Sequence, residues 1–372
     1  MHIITGDIFL GHNITTSDIP EVPSRLESLL DDFASTDKHS GSKTHKKRTY
    51  KNQLNLIDPL LFDDVLALVH SPDYIKTIMA LSKERRAFMS EVPLVEDSFQ
   101  VASYAASASI QAAEYAARGV PSFAVVRPPG HHASSGQSHG FCIFNNIAAS
   151  ATFLKERYGA NVVVLDYDLH FGDGSYEILG DKNIPYISCH QEGLFPFRKE
   201  SFERPHISLP PGTDHETFCK RYLPQLLDWI ASFKPDIVAV SAGFDAHINE
   251  PANIVGRDLY FCDDTYVEIT KGIMDITDNY YFVLEGGYNP DVIRDCFWAV
   301  YDTVAAKESE SAFPIDPEVK RLLSMSPEQL RKEAGIDDDD ESVIDSEFPI
   351  SDLPHPDDYG HPDDYDHPDD NY

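Results

Sequence analysis

Positive charge is scarce in this chain. Thirty Lys and Arg stand against 62 Asp and Glu, and the 372 residues carry a formal net charge of −32 at pH 7. A nucleic-acid binder needs a basic face to meet phosphates, so direct nucleic-acid binding is not expected. The acidic surface suits a cationic substrate, or serves solubility alone. Cysteine is also sparse. Cys142, Cys189, Cys219, Cys262 and Cys296 are odd in number and contain no CxxC pair, which argues for a reducing compartment over a disulfide scaffold. Long apolar runs are missing. The N-terminal MHIITGDIFLGHN has no basic region and no apolar core of a leader, and no later run is long enough to span a bilayer. A soluble, intracellular, cytoplasmic protein without a membrane partner is expected, or a nuclear one if the source is eukaryotic.

What the chain does hold is an alternation of strands and helices. Short apolar runs at His2–Thr5, Phe123–Val126, Val162–Leu165, Ile184–Cys189, His206–Leu209, Asp236–Ser241 and Tyr280–Leu284 read as strands. Helices are expected around Leu26, Leu29 and Leu30, over the alanine-rich Val95–Arg118, over Asn146–Tyr158, over Asp214–Phe233 with Asp214 as N-cap, within Asp264–Thr277, and from Pro290 to about Val304. Such alternation predicts an α/β fold, a mainly parallel sheet covered by helices on both faces. The polar Ser35–Asn52, with Lys46, Lys47 and Arg48 in a row, reads as a surface loop. Residues 1–307 are expected to form one domain and 308–335 a short helical extension, with a helix at Pro327–Glu333. Residues 336–372 hold fifteen Asp or Glu and no Lys or Arg, and HPDDY at His355 and His361 is followed by HPDDN at His367. That segment is expected to be a disordered acidic tail.

Polar clusters follow four of the strands: RPPGHH, DYDLHFGDG, AGFDAH and EGGYN. Ligands of open parallel sheets gather at the carboxyl ends of strands. Alternate residues of an extended chain point the same way, so Asp168 and His170 face one centre with Asp166 just behind. One carboxylate and one imidazole begin a zinc site but do not complete it.

Taken together, RPPGHH, GFCIFNN, DYDLHFGDG, SCHQEGLFP, SAGFDAH and LEGGYN resemble the zinc-dependent deacetylase superfamily of histone deacetylases, acetylpolyamine amidohydrolases and acetoin-utilisation proteins. The resemblance covers roughly His12 to Val304. It implies the three-layer arginase–deacetylase fold. It implies Asp168, His170 and Asp245 as ligands of a catalytic zinc, with ferrous iron as the other candidate, and His131 and His132 as tandem active-site histidines. These would pair with Asp166 and Asp173, partners that fix the tautomer and raise the basicity of the ring. His132 is then the general base and acid, His131 the electrostatic support, and Tyr288 the oxyanion donor. Gly286 and Gly287 would give the backbone the freedom to place that tyrosine. Phe141 and Phe195 correspond to tunnel walls, the carbonyl of Gly140 to a substrate acceptor, and Glu91 to a rim carboxylate. The carbonyls of Asp166, Asp168 and His170, with Ser188, correspond to a structural potassium site.

The chain departs from the family pattern at Phe171, where a second histidine is usual, and at Glu250-Pro251-Ala252, where the family often has Asp-Pro followed by Leu or Met. Polyamine-specialised relatives often carry glutamate at the position taken to be Ala252, and alanine there predicts a wider tunnel mouth. The implied activity is removal of acetyl groups from acetylated amines, first of all acetyl-lysine of proteins or peptides. The alternatives are an acetylpolyamine deacetylase, a two-manganese ureohydrolase of related fold, and a catalytically silent acetyl-lysine binding module. RPPGHH with EGGYN argues against the ureohydrolase, and retention of the whole residue set argues against the silent module. Sequence alone leaves the oligomeric state open.

Overall fold

In the computed structural model, residues 1–14, 19–34, 62–196 and 204–310 are described. The chain divides into two compact units, Met1–Arg321 and Leu322–Tyr372, and all described residues belong to the first. The expected basic loop at 35–52, the helix at 327–333 and the acidic HPDD tail lie outside the described residues.

Among the described residues seven strands form one sheet: β1 (His2–Ile4), β2 (Ser122–Ala124), β3 (Val162–Asp166), β4 (Tyr186–Gln191), β5 (His206–Leu209), β6 (Ile237–Ala242) and β7 (Tyr280–Leu284). Their order is β1-β2-β7-β6-β3-β4-β5, and every pairing is parallel. β3, β6 and β7 are buried along their whole length, as apolar strands covered on both faces must be. The helices are α1 (Ser24–Ala34), α2 (Phe62–Ala67), α3 (Pro72–Glu84), α4 (Ser98–Ala117), α5 (Asn146–Tyr158), α6 (Asp173–Asp181), α7 (His215–Thr217), α8 (Leu223–Ser232), α9 (Ala252–Val255), α10 (Asp263–Ile276) and α11 (Pro290–Glu310). α4 and α5 pack on each other and against the central strands, while α1, α10 and α11 pack together in a second layer. The alanines and serines of α4 are almost all buried, because small side chains let α5 and the sheet approach closely.

Several elements differ in detail from the sequence reading. α2 ends at Ala67 and α3 begins at Pro72, with Ser71 as its N-cap, accepting the Tyr74 N–H at 3.2 Å. Asp214 does cap α7, accepting the Thr217 N–H at 2.9 Å. The run to Phe233, however, passes through a π-helical turn at Phe218–Tyr222 just before Pro224, whose missing N–H cannot continue the helical ladder. α11 continues past Val304 to Glu310.

The order of the strands brings the ends of β2, β7, β6 and β3 side by side, and these carry the four polar clusters. A buried ion cluster locks the N-terminal segment onto that edge. Glu21 accepts from Arg127 Nη2 at 2.7 Å and Nε at 2.8 Å, and from Arg25 Nη1 at 3.0 Å. Arg127 also donates to the carbonyls of Phe9 and His12 at 2.6 and 2.7 Å. Arg25 donates to the carbonyls of Gly287 and Glu285 at 2.6 and 2.5 Å. Burial alone would raise the Glu21 pKa, but the two guanidiniums outweigh it and hold it down at about 2. Removing one partner of such a pair strands buried charge. Glu21→Gln should therefore cost about 3–5 kcal/mol, read from urea melts at pH 7. Because the folded-state pKa is depressed, the stabilisation is present above the ordinary carboxylate range and is lost as pH falls toward 2. The gap between parent and variant should narrow over that acid window.

Candidate active site

Asp168 and His170 leave the end of β3, and Asp245 leaves the end of β6, its neighbour in the sheet. The carboxylate and imidazole atoms of the three lie within 4.8 Å of one another. His170 Nδ1 is 3.3 Å from Asp168 Oδ1 and 3.1 Å from Asp245 Oδ2. Asp168 Oδ1 and Oδ2 accept the N–H groups of His170 and Gly286 at 2.9 and 2.8 Å, and Asp245 Oδ1 accepts that of Leu169 at 2.9 Å. The electrostatics show what this pocket requires. Burial favours neutral carboxyls, yet the imidazoles of His131 and His170 push the Asp168 pKa far down. Burial and the Asp168 charge raise that of Asp245. Burial opposes charge on His170 too, but its bonds to both carboxylates lift it to about 10. Two buried carboxylates thus demand a cation between them. Their oxygen and nitrogen donors fit a divalent metal with three protein ligands. The Nε2–H of His170 donates to the Val255 carbonyl at 3.1 Å, which leaves Nδ1 facing the carboxylates.

Two other groupings of ligand-type side chains are engaged differently. The Cys296 thiol donates to Asp263 at 3.3 Å, and His247 Nδ1 accepts the Asn249 N–H at 3.1 Å. Glu285 Oε2 accepts the N–H groups of Gly130 and His131 at 2.6 and 3.1 Å.

The tandem histidines follow β2. His131 Nδ1 donates to Asp166 Oδ2 at 3.1 Å, and His132 Nδ1 donates to Asp173 Oδ1 at 2.8 Å, so both expected pairs form. The two rings are 4.0 Å apart, but their protonation diverges. Burial opposes charge on both. For His131 the carboxylates of Asp168 and Asp166 outweigh it and hold the pKa well above 6.5. For His132, burial and then the charge of His131 prevail over Asp173, and the pKa falls to about 4. Each carboxylate raises its partner's basicity as expected, but for His132 burial and the His131 charge outweigh it.

Tyr288 follows β7 across Gly286 and Gly287. A Cβ on Gly286 would sit 2.5 Å from Asp168 Oδ2 and 2.6 Å from Asp245 Oδ2, and Gly287 is left-handed at φ +115°. Side chains on either would push the loop out of the site. The loop is gripped from two sides. Arg25 takes the carbonyls of Glu285 and Gly287 and lies 4.9 Å from the centre of the Tyr288 ring. Glu250 accepts the N–H groups of Tyr288 and Asn289 at 2.8 and 3.0 Å. Burial raises the Tyr288 pKa well above 10, so its hydroxyl keeps its proton and remains a donor.

One cavity of about 380 Å³ joins these groups, and its lining includes His131, His132, His170 and Tyr288. Gly140, Phe141, Phe195 and Glu91 all line it too. Phe195 lies edge-on to His132 at 5.0 Å, and Phe141 edge-on to Tyr288 at 5.8 Å. Ala252 is not part of the lining. The wall expected there is built by Ile254, Val255 and Gly256, together with Leu194, so alanine does not open the mouth. Among the residues expected at a potassium site, Ser188 lies opposite Asp166 in the β3–β4 pairing, and its hydroxyl bonds His190 Nδ1 at 2.9 Å. Phe171 is buried against Tyr176, Tyr186 and His190. The sequence reading missed Tyr186, whose hydroxyl donates to Asp166 Oδ2 at 2.8 Å and steadies the acceptor of His131. It also missed Arg25, Glu250 and the Val255 carbonyl. No local pattern marks any of them.

None of the five cysteines forms a disulfide, and no helix among the described residues is long and apolar enough to cross a membrane. Residues 19–304 match the histone deacetylase domain. The chain is 29% identical over 358 residues to histone deacetylase 10, chloroplastic, of Oryza sativa subsp. japonica, spanning 87% of this chain and 77% of that one. It is 32% identical over 254 residues to the polyamine deacetylase HDAC10 of Mus musculus, spanning 61% of this chain and 38% of that one. The crystal structure of the HDA15 HD domain superposes with a TM-score of 0.72 at 25% identity, covering 82% of this chain and 89% of that one.

The donor set makes a direct prediction. The full chain should bind one divalent ion, and Asp245→Ala should leave the site nearly empty when metal content is measured after dialysis. Full occupancy in that variant would remove Asp245 from the ligand set.

Proposed function

The chain belongs to the histone deacetylase domain family, and from that premise we propose that it hydrolyses the acetamide of an acetylated amine, first of all acetyl-lysine in a protein or peptide. The observation that carries this is the shared lining of one cavity by His131, His132, His170 and Tyr288. A zinc or ferrous ion held by Asp168, His170 and Asp245 would polarise the amide carbonyl and acidify a water. His132 is unprotonated at neutral pH and presents Nε2 to the cavity, because Nδ1 is tied to Asp173. It takes a proton as water adds to the carbonyl carbon, then gives it to the amine nitrogen as the C–N bond breaks. Acetate and the free amine result. His131 stays protonated against Asp166 and supplies positive charge beside the reacting centre. Tyr288 donates its hydroxyl to the carbonyl oxygen as negative charge develops there. Phe141 and Phe195 hold an aliphatic side chain, the Gly140 carbonyl takes the substrate N–H, and Glu91 meets the substrate backbone at the rim. A structural potassium ion at the carbonyls of Asp166, Asp168 and His170, with Ser188, is part of the same assignment, supported by the β3–β4 pairing.

An acetylpolyamine is the second substrate class. Glu91 in the lining and the net charge of −32 favour it. The apolar mouth of Leu194 and Ile254 favours a substrate without a second charge near the wall. Turnover of an acetyl-lysine peptide beside N-acetylspermidine separates the two, with the higher kcat/KM expected for the peptide.

Tyr288 gives the sharper test of mechanism. Tyr288→Phe removes one oxygen and leaves the ring, so metal content should persist. A donor that acts in the transition state lowers kcat more than it raises KM. Its loss should cost about 10²- to 10³-fold in kcat. A metal-loaded phenylalanine variant as active as the parent would overturn the mechanism.

A further inference from the structure

The Val255 carbonyl selects the tautomer of His170, yet it belongs to a single helical turn, α9, too short to hold itself. Its neighbour Ile254 is 52% exposed at the cavity mouth. The side chain that ties this turn to the sheet is Gln191, the last residue of β4, which is 4% exposed. Its Nε2 donates to the Gly256 carbonyl at 3.1 Å, and its Oε1 accepts the Asp258 N–H at 2.5 Å. Its backbone N–H donates to the carbonyl of Leu169, the residue before His170, at 2.9 Å. Gln191 therefore grips both chain segments that meet at His170. To the side chain the turn presents a carbonyl, that of Gly256, and an N–H, that of Asp258. The Gln191 amide carries the matching donor and acceptor. A carboxylate would set an oxygen against the Gly256 carbonyl, and a hydrocarbon would leave both backbone groups unpaired in a buried place.

We propose that Gln191 is a positioning residue that fixes, through the 252–258 turn, both the orientation of the metal ligand His170 and the Leu194–Ile254–Val255 wall of the cavity mouth. It touches neither substrate nor metal itself. The inference rests on His170 being a metal ligand. It adds that metal affinity and substrate affinity share one tether, so loosening that tether weakens both. Groups that orient a metal-bound imidazole typically contribute about 10- to 100-fold in metal affinity.

The test uses the full chain with Gln191→Leu, Gln191→Glu and Ile254→Ala. Zinc affinity is measured by competition with a chromophoric chelator. KM and kcat are measured on an acetyl-lysine peptide at saturating zinc. Gln191→Leu should weaken zinc binding by about 10- to 100-fold and raise KM, with kcat close to the parent once metal is restored. Gln191→Glu keeps the acceptor for Asp258 and should fall between, and it carries the test if the leucine variant does not fold. Ile254→Ala should raise KM and leave zinc affinity at the parental value, since it changes the wall and not the tether. Parental zinc affinity in both Gln191 variants would overturn the inference while leaving the proposed deacetylase intact. A parent that binds no zinc or other divalent ion would remove both.

Discussion

Two carboxylates, Asp168 and Asp245, are buried side by side at the ends of neighbouring strands, and much of the surrounding structure answers that repulsion. Like charges so placed cannot both stay ionised without a cation between them. His170 points its Nδ1 at one oxygen of each, its own N–H shares Asp168 Oδ1, and the backbone N–H groups of Gly286 and Leu169 face the other two. The chain near Gly286 passes so close to both carboxylates that a side chain has no room. Sheet order makes the convergence possible, because β6 separates β7 from β3 and all three end on the same edge. A parallel sheet is required for this, since an antiparallel neighbour would carry its loop to the far edge.

The same field sorts the two histidines. His131 lies 3.7 Å from Asp168 and bonds Asp166, so it sits inside the negative potential and keeps a proton. His132 is one residue farther along, bonded to the single carboxylate of Asp173, and feels the charge of its neighbour. Neighbouring groups of one type are thereby pushed toward opposite protonation states, the divergence on which the proposed roles of base and fixed charge rest.

Much of this was readable from residue order, and the remainder was not, for physical reasons. Strands such as VVVLD and YYFVL announce themselves as apolar runs, and the polar residues immediately after them must emerge at the sheet edge. Asp168, His170, Asp245, His131, His132 and Tyr288 were placed at one sheet edge that way, and the roles proposed for them come from the motif resemblance. Groups that act from a distance leave no such mark. Tyr186 reaches Asp166 across a strand pair, Arg25 reaches Gly287 from a helix near the other end of the chain, and Val255 acts through its carbonyl alone. The misreading at Ala252 has a similar cause. The family pattern after Glu250-Pro251 put residue 252 at the mouth, but the chain makes a helical turn at Ala252–Val255 and presents Ile254 and Val255 to the cavity instead. The His132 protonation was equally hidden, because a carboxylate partner is visible in sequence and the burial that overrides it is not.

The loop bearing Tyr288 shows how a flexible sequence becomes a rigid device. Two glycines in succession give the backbone access to an unusual path but also freedom to leave it. Two side chains remove that freedom. The Arg25 cation holds carbonyls on the strand side, and the Glu250 carboxyl holds N–H groups where α11 begins. Neither grips the hydroxyl of this cavity-lining residue, whose proton is retained by burial. The proposed oxyanion role of Tyr288 would draw on this rigidity, because a donor fixed in place need not reorganise when charge appears beside it. The cost falls on the other side of the molecule. Arg25 must be buried, so Glu21 must be buried with it, and Glu21 in turn brings in Arg127 and the N-terminal carbonyls of Phe9 and His12. The ion cluster that staples the N-terminus to the sheet edge is thus the far end of the support for a single tyrosine hydroxyl.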